Sequence, residues 1–160
     1  MHRILIFGNS GSGKSTLAKA LCGEYALSHL DLDTLAWQAT TPPIRSPLNE
    51  SKKAINDFLN HNTGWVIEGC YTDLLVFAES HANEAIFMNL CVDKCIANAR
   101  NRPWEPHKYP SKEAQDANLE LLIEWISQYD QRTDTFSKQA HQAFYNAFKG
   151  QKRSYKNNER

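Results

Sequence analysis

The stretch Gly8-Asn9-Ser10-Gly11-Ser12-Gly13-Lys14-Ser15-Thr16 constrains this chain more than any other. It follows the apolar run Ile4-Leu5-Ile6-Phe7 and leads into Leu17-Ala18-Lys19-Ala20-Leu21, whose spacing reads as helix. G-x-x-x-x-G-K-[ST] between a strand and a helix is the phosphate-binding loop pattern. Glycines let backbone N–H groups curl around an anion without Cβ clashes. The helix N-terminus adds free N–H groups and partial positive charge. Lys14 is placed to reach β- and γ-phosphates, and the Ser15 hydroxyl to ligate Mg²⁺.

Ile4 to Phe7 is short and continuously apolar, which suits the middle of a parallel sheet. A helix is expected from about Lys14 to Tyr25, then a short strand, Ser28-His29-Leu30-Asp31-Leu32-Asp33, ending in acid. Thr34 to Pro47 reads as irregular, broken by Pro42-Pro43 and Pro47. Asn49 to Asn60 is amphipathic, Trp65-Val66-Ile67-Glu68-Gly69 is a strand, and Asp73 to Ser80 a short helix. Ala85 to Leu90 is another apolar strand, and Val92 to Asn101 a helix. Pro103, Pro106 and Pro110 enclose a loop; Ser111 caps a long helix to about Tyr129. A last helix from about Asp134 to Phe148 ends at Gly150, and Gln151 to Asn157 forms a final edge strand. Strands alternating with helices mean a parallel sheet covered on both faces, with ligands at the C-terminal strand ends. The phosphate loop, Asp31/Asp33 and Glu68 all fall at such ends.

The 160 residues fit one domain with a real core. Lys plus Arg equals Asp plus Glu, so charge gives no reason to expect nucleic acid or an anionic membrane as partner. The basic residues near the end (Lys149, Lys152, Arg153, Lys156, Arg160) read as a solvated tail. Cys22, Cys70, Cys91 and Cys95 form no C-x-x-C pattern and read as reduced thiols without zinc. Met1-His2-Arg3 runs straight into a core strand and no apolar run approaches membrane-spanning length, so a cytoplasmic protein is expected.

Transfer of a γ-phosphoryl group needs a phosphate cradle, Mg²⁺, cations for the transition state and a group that orients the acceptor. Glu68 sits where a second acid holds Mg²⁺, often through water. Asp31 and Asp33 point the same way if the backbone is extended, and such a pair accepts or orients an acceptor hydroxyl. Arg100 and Arg102, just before the proline-enclosed loop, are candidates to clamp ATP phosphates as that loop closes. Trp37, Arg45 and Tyr71 are candidates for an acceptor pocket, and Trp104, His107, Lys108 and Tyr109 for a lid. His29, His81 and His141 show no metal-ligand spacing.

The loop Gly8 to Thr16, the segment Leu30 to Trp37, Val66-Ile67-Glu68-Gly69-Cys70-Tyr71 and Arg100-Asn101-Arg102 resemble small P-loop kinases of the adenylate-kinase-like class, and within it the FlaR-like proteins, some labelled DNA topology modulation proteins. The resemblance implies an α/β three-layer P-loop NTPase fold with a five-stranded parallel sheet of order 2-3-1-4-5. It also implies an acceptor-binding segment at about residues 34–62 and a lid-like loop at about 100–112. By matched position Lys14, Ser15, Glu68, Arg100 and Arg102 take ATP or Mg²⁺ roles, and Asp33 an acceptor role. Adenylate kinases usually read Gly-Lys-Gly-Thr where this chain has Gly13-Lys14-Ser15-Thr16, and carry an arginine where it has Gly69-Cys70-Tyr71-Thr72. That argues against AMP as acceptor. The loop followed by Asp-x-Asp is more like shikimate and gluconate kinases, without the shikimate-kinase glycine triplet.

The expected function is therefore transfer of phosphoryl from Mg-ATP to a small nucleotide-, sugar- or hydroxy-acid-like acceptor. The competing expectation is a nucleotide-binding regulatory protein with weak or no phosphotransfer. The Asn-Lys-x-Asp of GTPases is missing, and an ABC-type or AAA-type motor is expected to be longer and to carry further motifs.

Overall fold

The apolar run before the loop becomes strand β1 (Arg3–Gly8), buried from Ile4 onward. The computed structural model describes residues 1–159; Arg160, one of the basic tail residues, lies outside them. Helix α1 (Lys14–Tyr25) follows the loop, then β2 (Ser28–Asp31), α2 (Asp33–Ala36) and a small antiparallel hairpin of β3 (Trp37–Gln38) and β4 (Ile44–Arg45). Next come α3 (Leu48–His61), β5 (Trp65–Gly69), α4 (Thr72–Leu75), a 3₁₀ turn at Glu79–His81, and β6 (Glu84–Met88). The chain continues through α5 (Val92–Arg100), α6 (Lys112–Ser127), α7 (Lys138–Ala147) and β7 (Gln151–Tyr155).

The main sheet has the order β2-β5-β1-β6-β7 with every neighbouring pair parallel. Numbered within that sheet alone, the order is 2-3-1-4-5, as expected. Alternation along each strand divides the interior in two. Leu5, Phe7, Trp65, Ile67, Ala85 and Phe87 face Ile55 of α3, Leu74 of α4 and Phe144 of α7. Ile4, Ile6, Val66, Ile86 and Met88 face Leu17 and Ala18 of α1, Cys95 and Ala99 of α5, and Ile126 of α6. Each of the larger side chains among these (Leu, Ile, Val, Phe, Met), removed from water, contributes ~1.5–3 kcal/mol.

Two serines start the late helices. Ser111 Oγ accepts from the Ala114 N–H at 3.1 Å and Ser137 Oγ from the Ala140 N–H at 2.9 Å. The second corrects the expected start at Asp134. That carboxylate instead accepts from Phe136 N–H and from the Arg132 guanidinium, so helix begins only after Ser137. The stretch expected to be irregular, Thr34 to Pro47, holds α2 and the hairpin. The hairpin is anchored where Ser46 N–H meets the Ala36 carbonyl at 2.9 Å.

The expectation for Asp31 and Asp33 needs a sharper correction. The strand stops at Asp31, Leu32 is already α-helical, and Asp33 opens α2. Asp31 Oδ1 accepts from the Asp33 N–H at 2.9 Å, so the two acids belong to a turn and not to one extended face.

Candidate functional site

The loop is held from behind. Asn9 is buried and its amide donates to the Ile126 carbonyl at 3.2 Å. Asn98 Nδ2, on α5, donates to the Gly11 carbonyl at 2.8 Å, and Asn158 Nδ2 to the Ser12 carbonyl at 3.0 Å. Gly11 (φ 78°) and Gly13 (φ 90°) are left-handed, and a Cβ on Gly11 would lie 2.5 Å from the Cys95 carbonyl oxygen. Only glycine lets the loop turn this tightly against α5. Lys14 Nζ lies along the loop and donates to the Asn9 carbonyl at 2.7 Å. Ser12 is wholly buried, and its hydroxyl has no partner among the described residues.

Strand alternation explains what meets the loop. Trp65 and Ile67 point to one side of β5, so Val66 and Glu68 point to the side of α1, where Ser15 begins the helix. The β2–β5 register sets Asp31 opposite Glu68. Glu68 is 2% exposed; its Oε2 accepts from Ser15 Oγ at 2.7 Å and lies 3.1 Å from His29 Nε2. A serine hydroxyl beside a carboxylate, both hard oxygen donors at a phosphate loop, fits Mg²⁺. Among the described residues no group of three or more His, Cys, Asp or Glu side chains is arranged to hold a metal. Mg²⁺ at Ser15 and Glu68 would therefore take phosphate and water as its remaining ligands.

A second group lies beyond β2. Trp37 Nε1–H donates to Tyr71 Oη at 2.8 Å, and the Tyr71 hydroxyl donates to Asp33 Oδ1 at 2.5 Å. Lys108 Nζ donates to Asp33 Oδ2 at 2.8 Å and stands 3.6 Å from Asp31 Oδ2 and 3.5 Å from Glu105 Oε2. Burial pushes the Asp33 carboxyl upward, but the Lys108 ammonium outweighs this and holds it below its ordinary value. Asp31 goes the other way: burial, with the Glu68 and Asp33 carboxylates nearby, raises it. Burial alone would lower Lys108, yet Asp33 and Asp31 raise it above the ordinary lysine value. Arg45 pairs with both carboxylate oxygens of Asp73 at 3.2 Å and lies over the rings of Tyr71, Phe136 and Trp37.

The structure thus brings together Ser15 with Glu68, and Trp37, Tyr71 and Asp33 with Arg45 alongside. It does not bring Arg100 and Arg102 to the loop. Arg100, half exposed, stands 3.4 Å from Glu120 of α6, and Arg102 stands 3.1 Å from Glu105. His141 is a core residue between the Tyr129 hydroxyl (2.7 Å) and the Cys70 carbonyl (2.8 Å). Sequence reasoning passes over His29 as scattered, although its place in a strand beside β5, two residues before Asp31, points to the Glu68 side. It marks Lys108 only as part of a lid; no spacing rule links that lysine to Asp33, because their contact spans a long separation in the chain.

Residues 1–154 match the family model described as ABC transporter. An uncharacterized protein, YqaC, of Bacillus subtilis (strain 168) is 26% identical over 129 residues, which cover 79% of this chain and 72% of that protein. A solved, unliganded sugar kinase from Janibacter sp. HTCC2649 is 14% identical with a TM-score of 0.48, covering 79% of this chain and 95% of that chain.

Proposed function

The chain belongs to the family described as ABC transporter, and from that nucleotide-binding frame we propose that it is a Mg-ATP-dependent kinase for a small-molecule acceptor. Membership corrects the expectation that length and motif content set ABC-type proteins aside. The loop Gly8 to Thr16 would bind the triphosphate, with Lys14 released from Asn9 onto the β- and γ-phosphates. Ser15 and Glu68 would hold Mg²⁺, which when bound neutralises charge on the phosphate oxygens. The observation that carries the reading is Asp33, fixed by Tyr71 and Lys108 at the start of α2, just past the strand that pairs with β5. A positioned, ionised carboxylate there suits an acceptor hydroxyl more than plain ATP binding requires. Residues 34–62, which supply Trp37 and Arg45, form the acceptor-binding segment of this proposal, and 100–112 its lid. This reading likens the chain to adenylate-kinase-like enzymes. A cytoplasmic location belongs to the same reading and is supported by four unpaired cysteines.

The test is a panel of nucleoside monophosphates, sugars, sugar acids and hydroxy acids, scored for acceptor-dependent ADP release with Lys14→Ala as the control. We expect at least one acceptor to raise release, and Lys14→Ala to abolish it together with ATP binding. A second reading, a nucleotide-binding regulatory protein of the FlaR type, is favoured by one observation: the acids proposed for the acceptor already hold the chain's own Lys108. It gains if ATP binds and no acceptor raises ADP release above the acceptor-free rate.

A further inference from the structure

Phosphoryl transfer spreads negative charge over the migrating group, and a cation carried by a loop over the site is the usual means of meeting it. Arg100 and Arg102 are the arginines at the start of the loop between α5 and α6. Arg100 is turned to Glu120, with its side chain 52% exposed, and Arg102 is engaged by Glu105. The cation of this loop that faces the sheet's C-terminal edge is Lys108. Its side chain is 21% exposed, and its ammonium reaches three carboxylates within 2.8–3.6 Å. Two observations tie this point to the phosphate loop. Asp31, which Lys108 approaches at 3.6 Å, stands opposite Glu68 in the β2–β5 register, and Glu68 accepts from Ser15 of the loop at 2.7 Å. The neighbouring His107 shares with Ser15, His29 and Asp31 the wall of one cavity of about 250 Å³.

Resting on the kinase reading above, we infer that Lys108, and neither Arg100 nor Arg102, is the loop-borne catalytic cation, paired with Asp33 and Asp31 here and moved onto the transferring phosphoryl group when nucleotide and acceptor bind. The geometry makes the move cheap. Lys108 sits on a flexible stem in a short turn (its N–H donates to the Glu105 carbonyl at 3.0 Å) that follows Arg102 to Glu105, residues without helix or strand structure, and it exchanges carboxylate oxygens for phosphate oxygens. The exchange also changes Asp33. With the ammonium gone, its carboxylate loses the contact that holds its proton affinity down, at the step when the acceptor hydroxyl must give up a proton. In that step the acceptor O–H proton passes to the Asp33 carboxylate and the acceptor oxygen bonds to the γ-phosphorus. The bond from that phosphorus to the bridging oxygen breaks, and its electron pair leaves on ADP. Lys108 stays an ammonium throughout and exchanges neither proton nor electrons.

The test measures binding instead of turnover. Mg-ADP with aluminium fluoride places a charged mimic of the migrating phosphoryl group beside ADP. The affinity gained over Mg-ADP alone, read by calorimetry, reports cations directed at that group. We expect Lys108→Met to lose at least tenfold of this gain while Mg-ADP affinity stays within twofold, and Lys108→Arg to keep part of it. Lys149→Met, an exposed lysine after α7 and outside the phosphate loop, acceptor segment and lid, should keep all of it. The inference is overturned if Lys108→Met retains the full gain, if Mg-ADP affinity falls as much as the gain in both Lys108 variants, or if Arg100→Ala or Arg102→Ala loses the gain in its place. A wild-type protein that binds Mg-ADP but gains nothing from fluoride overturns the kinase reading as well, so the two failures are told apart.

Discussion

At Glu68 Oε2 two groups of different chemistry converge, the Ser15 hydroxyl at 2.7 Å and the His29 imidazole at 3.1 Å. A buried carboxylate oxygen must have partners, and here one comes from the first residues of α1, after the phosphate loop, and the other from β2, the strand paired with β5. A metal bound at Ser15, as proposed, would meet a carboxylate already oriented, with a histidine beside it as support. Glu68→Gln keeps shape but removes the charge proposed to attract Mg²⁺. The expected result is at least a ~10-fold rise in the Mg²⁺ concentration needed for half-maximal nucleotide binding or turnover. Mg²⁺-free ATP affinity should be unchanged. Titration of Mg²⁺ at fixed nucleotide checks this, and an unaltered midpoint removes Glu68 from the metal site.

At the scale of elements, α6 matters because it anchors the far end of the loop that carries Lys108. Ser111 Oγ satisfies the Ala114 N–H, and Gln115 on the first turn reaches back to the Pro103 carbonyl and the Glu105 N–H. Ser111→Ala should cost about 1 kcal/mol in urea unfolding and speed proteolytic cutting between Arg102 and Lys112; equal stability and cutting would leave the cap without a role. Elements of this kind are legible in the amino-acid sequence itself. β1 and β5 are apolar runs, and α1 and α6 follow a start signal (the phosphate loop and the Ser111 cap), so local chemistry decides them. The stretch 34–47 is not legible in that way. α2 spans a single turn and the hairpin strands two residues each, too short for any period, and both depend on contacts with Ala36 and Leu35 carbonyls made from Ser46 and Ser51. The site divides in the same way. The loop and Glu68 follow from strand-to-loop order. The Lys108–Asp33 and Arg45–Asp73 contacts exist only because the sheet and its crossovers bring distant segments to one edge.

For the whole molecule, the ionisable group with the clearest leverage on stability is His141. Burial lowers its pKa to about 4, against an ordinary value near 6.5. The unfolded chain therefore takes up a proton at this residue that the folded chain refuses. His141 has no effect above about pH 6.5; between about 6.5 and 4 folding weakens by about 1.4 kcal/mol per pH unit, and below that the loss levels off. Chemical denaturation across this range should show that slope, and His141→Gln should flatten it; an identical slope in the variant would assign the effect to other groups. Glu68 reaches further than its metal role. The sheet is made of short apolar strands with little to distinguish one pairing from the next. Sliding β5 by a single residue would swing this carboxylate across to the Leu5, Phe7 and Phe87 side, among apolar side chains and His141, whose ring nitrogens are already engaged by Tyr129 and Cys70. A slipped β5 would carry this acid on the apolar side, so the residue proposed to hold the metal would also penalise a wrong register of its strand.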